Sequence, residues 1–122
     1  VLNFGGGTTG ITYSTQTGKY WKIGPVVYFN VSITLTNKGS STGAANITGL
    51  PFTSANDGFF MFDSLSTIAS LPASTTQFYA YIAPATSTLV LGAQGSANQT
   101  GLTNANFANN TYLTITGFYW VS

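Results

Sequence analysis

The chain has 122 residues, among them three Lys and two Asp but no Arg, Glu, His or Cys, so that 4% of its residues are charged and its formal net charge is +1. That inventory excludes disulfides, thiolate or imidazole metal centres and Ser-His-Asp or Cys-His catalysis, and it offers no electrostatic case for nucleic acid or an anionic membrane. Hydrophobic residues make up 43% of the chain and aromatic residues 15%. This is the opposite of a disordered composition. It also leaves little charge repulsion against self-association, so much of the surface is expected to be covered by copies of the same chain.

The length is that of one domain, which would bury about two-thirds of its unfolded surface and so form a core without staples. No apolar run reaches the roughly 20 residues of a membrane-spanning helix. The first residue is Val1 rather than Met, from which a fragment or a processed chain is expected.

In chain order, Val1 to Phe4 is a short apolar stretch leading into Gly5-Gly6-Gly7-Thr8-Thr9-Gly10, so residues 1–10 are read as a linker or lead-in strand and residues 11–122 as a single domain. The glycine run lacks the following helix and Lys of a phosphate cradle. Ile11, Tyr13 and Thr15 alternate with Thr12 and Ser14, the period of a half-buried strand. Gly18 is expected to turn the chain into a second strand at Tyr20 to Ile23, and Gly24-Pro25 to turn it again.

Val27, Phe29, Val31, Ile33 and Leu35 then alternate with polar residues in the longest strand, Val26 to Asn37. At about 3.3 Å per residue it would span roughly 40 Å. It is therefore expected to bend or to serve two sheets. A polar loop, Lys38 to Gly43, precedes a short strand at Ala45 to Thr48 and then Gly49-Leu50-Pro51-Phe52, in which Pro51 ends the strand while Leu50 and Phe52 tuck inward.

Phe59 to Phe62 is apolar on both faces, as in a strand covered on both sides. Asp63 to Leu71 reads as strand or loop. Gln77 to Ala83 is a strand ended by Pro84, and Leu89 to Leu91 begins another that Gly92 and Gly95 close. After a polar stretch, Leu113, Ile115, Gly117, Tyr119 and Val121 alternate with Tyr112, Thr114, Thr116, Phe118 and Trp120 in the final strand. Eight or nine strands without helical periodicity predict an all-β protein, an antiparallel β-sandwich or jelly roll.

Several of these stretches resemble a module of bacteriophage tail fibres and tailspikes. They are Tyr20-Trp21-Lys22-Ile23-Gly24 before a long alternating strand, the Lys38 to Gly43 loop, Gly49 to Phe52, Leu102 to Phe107, and Asn110 to Tyr119. The chain departs from that pattern at Pro25, where Asn would be expected, which stiffens the turn. The resemblance implies a homotrimeric β-sandwich in the virion, on a tail fibre or spike or alternatively on the capsid surface. Its implied partners are copies of itself, other virion proteins and a host surface polysaccharide or glycan.

The residues bear on chemistry mainly by scarcity. Asp57 and Asp63 are the only carboxylate side chains, too few for a calcium cage and, with Asp57 in an Asn-Asp-Gly turn and Asp63 at a strand end, read as structural rather than as a glycosidase pair. No catalytic activity, cofactor or metal is expected. Neutral saccharides are held by aromatic faces and by amide, carboxylate and hydroxyl groups. Trp21, Trp120, Tyr28 and Tyr112 are therefore the aromatic carbohydrate-binding candidates, with Asn56 and Asp57 as loop-borne hydrogen-bonding candidates. A purely structural virion part, such as a trimerisation cap, head fibre or capsid decoration protein, is the alternative. Four Asn-x-Ser/Thr triplets, at Asn30, Asn46, Asn98 and Asn109, are chance matches in a chain rich in these residues.

Overall fold

A computed structural model describes residues 1–56, 60–67, 75–95 and 99–121. Among these it contains nine strands: β1 (Leu2–Phe4), β2 (Ile11–Ile23), β3 (Val26–Lys38), β4 (Ala45–Ile47), β5 (Phe60–Thr67), β6 (Thr75–Ile82), β7 (Leu89–Gly95), β8 (Gln99–Gly101) and β9 (Tyr112–Trp120). The strands follow the order β1-β4-β7-β6-β5-β9-β3-β2, with β8 added to β7. Every pairing is antiparallel. The protein is all-β, and its layout is consistent with a β-sandwich.

The core lies between the two halves of that order. Leu2, Phe4, Ile47, Ala80, Ile82, Leu89 and Leu91 come from one half, and Val27, Phe29, Ile33, Leu35, Leu113, Ile115 and Tyr119 from the other. In β3 and β9 the buried residues are those that the period-two pattern put on one face. Leu50 and Phe52 pack against this core as expected of the Gly-Leu-Pro-Phe segment.

The strand shared between sheets is β5, not the long β3. Phe60 to Asp63 pair with β6, whereas Ser64 to Thr67 pair with β9. β3 has β2 along one side and β9 along the other, which holds it in a single sheet. The same pairing overrides the turn expected at Gly18. Residues 16 to 23 continue the ladder opposite Ile33 to Val26, so Gly18 sits in the middle of β2, opposite Val31.

Nor does Gly92 close β7. It lies opposite Tyr79 in the ladder, and a Cβ there would collide with the Tyr79 ring, so the glycine makes room for a buried ring. Gly39 answers a different need. It has φ +74°, and a Cβ would collide with the backbone of Thr9 and Gly10, where the two glycine-containing loops meet. The short β8 and a 3-10 turn at Asn104–Asn106, capped reciprocally by Thr103 and Asn106, lie in the stretch read only as polar.

Candidate functional site

One irregularity decides which way the aromatic residues of β2 point. The β2–β3 register shifts on either side of Tyr13, and Ser14 is skipped. Such a bulge changes the phase of a strand. Tyr13 faces the core with Leu35, but beyond the bulge it is Gln16, Gly18, Tyr20 and Lys22 that share the core-side face with Ile33, Val31, Phe29 and Val27. Thr17, Lys19, Trp21 and Ile23 are thereby placed on the outer face. A simple count from Ile11 would have put Thr17, Lys19, Trp21 and Ile23 on the core side.

Across β2, β3 and β9 the outer residues form rows. Ile23, Val26 and Trp120 make the first, Trp21, Tyr28 and Phe118 the second, and Lys19, Asn30 and Thr116 the third. The first two are apolar and open to solvent: Trp21 is 60% exposed, Ile23 67%, Tyr28 44%, Phe118 46% and Trp120 45%. Tyr28 and Phe118 have ring centroids 5.7 Å apart, and Phe118 and Trp120 5.6 Å. In the third row Asn30 Nδ2 donates to Thr116 Oγ1 at 2.6 Å. An aromatic platform thus gives way along the strands to a hydrogen-bonding row.

A concave site of about 540 Å³ opens on this platform, lined by Trp21, Lys22, Ile23, Tyr28, Phe29, Thr116 and Gly117. That volume is within the usual range for small-molecule sites. Trp21, Ile23, Tyr28 and Thr116 come from the outer face, whereas Lys22, Phe29 and Gly117 belong to the core-side face.

The platform rests on a fixed base. Gly24 has φ +58° and is followed by Pro25, whose ring excludes positive φ, the pattern of a II′ hairpin turn. Val121 N–H donates to Pro25 C=O at 2.8 Å, tying the end of β9 to this turn. Ala55 N–H donates to Trp120 C=O at 2.8 Å. Between Phe118 and Trp120, Tyr119 points the other way and is fully buried; its hydroxyl donates to Phe52 C=O at 2.9 Å and accepts from Phe52 N–H at 3.3 Å. Burial pushes the Tyr119 phenol above the usual tyrosine value, although the bond to Phe52 works the other way. Phe52 packs edge-on against Tyr20, with Lys22 Nζ 5.7 Å from its ring centre.

Of the residues singled out from sequence, Trp21, Tyr28 and Trp120 come together on this face. Tyr112 does not. It is half-buried at the far end of β9, six residues or about 20 Å from Phe118, and its hydroxyl accepts from Thr114 Oγ1 at 2.8 Å. Asn56 is exposed in a turn, one residue beyond the Ala55 bond to Trp120, and is not among the residues lining the concave site. Asp57 lies outside the described residues. Phe118 and Ile23 were missed. Phe118 shares the parity of Trp120, and Ile23 that of Trp21, so the signal was present in the alternation.

Chemically, the face presents rings for stacking and, beside them, an amide, a hydroxyl and an ammonium. Among the described residues it holds no nucleophile with an adjacent base. No protein-family model, curated protein or solved structure matches this chain.

Proposed function

We propose that this chain is a bacteriophage virion module, part of a homotrimeric fibre or spike, that adsorbs to host cell-surface carbohydrate through the outer face of β2, β3 and β9. The observation that carries the reading is the continuous row of exposed rings Trp21, Tyr28 and Phe118 lying beside the hydrogen-bonding row Lys19, Asn30 and Thr116. Rings stack on the C–H face of a sugar, and the polar row meets its hydroxyls. Apolar area of this kind seldom stays open on a domain with so little charge unless something uses it.

A second reading has its own support. Ile23 is the most exposed of the described large apolar residues and Phe118 is nearly half exposed, yet neither carries a hydrogen-bonding group. A surface built around them suits burial against another copy or another virion protein, as in a trimerisation cap, head fibre or capsid decoration protein.

Trp21→Ala separates the two. On the carbohydrate reading it abolishes adsorption to host cells while light scattering still returns the mass of three chains. If the assembly falls apart and adsorption by any remaining trimer is unchanged, the structural reading replaces it.

A further inference from the structure

The three lysines of the chain are not equivalent. Lys22 Nζ donates to Gly24 C=O at 2.9 Å, and Lys38 Nζ donates to Asn104 C=O at 3.2 Å. Lys19 is exposed, and among the described residues its ammonium has no partner. It stands on the outer face, in the same strand and two residues before Trp21, opposite Asn30. Two residues of strand span about 6.7 Å, comparable with the width of a pyranose ring. A sugar stacked on Trp21 and Tyr28 therefore places a substituent at its edge within reach of Lys19.

From this geometry we infer that the ligand of the platform is an acidic saccharide, a pyranose bearing a carboxylate of the hexuronic acid type. Its ring lies on Trp21 and Tyr28, its carboxylate meets the Lys19 ammonium, and its hydroxyls meet Asn30 and Thr116. Asn30 already donates one N–H to Thr116, which leaves its side-chain oxygen to accept from a sugar hydroxyl and the Thr116 hydroxyl hydrogen to donate. Lys22 also brings a positive charge to the site, but its ammonium already donates to Gly24 C=O, and that of Lys38 to Asn104 C=O. This inference deepens the carbohydrate reading and rests on it.

The test is titration calorimetry of the whole chain with galacturonate, mannuronate and glucuronate oligosaccharides, each paired with its carboxyl-reduced form. At least one acidic oligomer is expected to bind about three- to fivefold more tightly than its reduced twin, the size that an exposed ion pair supports. The preference should shrink as salt is added. In Lys19→Gln the acidic oligomer and its reduced twin should bind equally.

Equal binding of acidic and reduced forms, a preference that survives Lys19→Gln, or no binding of any acidic oligomer overturns the inference. So does a Lys19→Gln protein that aggregates more readily but keeps its preference, since Lys19 would then only guard an edge strand against pairing. None of these outcomes by itself removes the carbohydrate reading, which Trp21→Ala tests separately through host adsorption.

Discussion

Tyr119 and Trp120 are neighbours in β9, yet one has no exposed surface and the other shows 45% of its own. The two faces of the β2–β3–β9 sheet are built from the same kinds of residue and do opposite things. On the inner face the rings and branched chains of β3 and β9 enter the core, and the buried Tyr119 phenol finds both a donor and an acceptor in Phe52. On the outer face, rings touch one another at about 6 Å but meet no covering layer among the described residues. Hydrophobicity alone thus does not divide structure from function here. What divides them is whether a second layer is present and whether polar groups are already paired.

That comparison can be broken most severely at Tyr119. Tyr119→Ala removes a fully buried ring and should cost about 3 to 5 kcal/mol in urea unfolding. Trp120→Ala, one residue on, should cost less than about 1 kcal/mol. A large loss at Trp120 would mean that the outer face is structural.

Gly92→Ala comes next. Its Cβ would press on the buried Tyr79 ring, and overpacking of this kind costs about 1 to 3 kcal/mol. Tyr119→Phe keeps the ring but strands Phe52 N–H and C=O, for a loss of about 1 to 2 kcal/mol. The same variant sharpens the pH dependence. Burial raises the phenols of Tyr119, Tyr13 and Tyr79 in the folded chain. The neutral form is therefore favoured by folding, and its contribution is complete below the ordinary tyrosine value of about 10. Stability should fall as pH rises from there through the raised values, and fall less steeply in Tyr119→Phe. The smallest effect on stability belongs to Trp21→Ala, within about 0.5 kcal/mol by the same unfolding assay, although binding should be lost.

Much of the architecture was legible in the residues because period-two alternation is a local property. Val27 to Leu35 and Leu113 to Tyr119 declared their buried faces, and Phe52 its inward packing. What remained hidden depended on partners distant in sequence. Gly18 and Gly92 look like turn residues until β3 and Tyr79 are set beside them. The splitting of β5 between sheets cannot be seen without both neighbours. At the site, Trp21, Tyr28 and Trp120 were picked out one by one from residue type, but their meeting depends on the Ser14 bulge and on a register across three strands. Tyr112 was picked by the same chemical criterion and lies at the wrong end of its strand. Phe118 and Ile23 are not among those candidates, although parity links them to the tryptophans.

Both tryptophans of the chain, Trp21 and Trp120, stand on the outer platform, so intrinsic tryptophan emission reports on that surface and no other. The most direct measurement is an emission titration with a panel of purified bacterial surface polysaccharides. The account predicts a saturable blue shift with at least one of them, absent when the protein is first unfolded. Binding detected by mass or calorimetry without any change in emission, or no response to any polysaccharide, would contradict it.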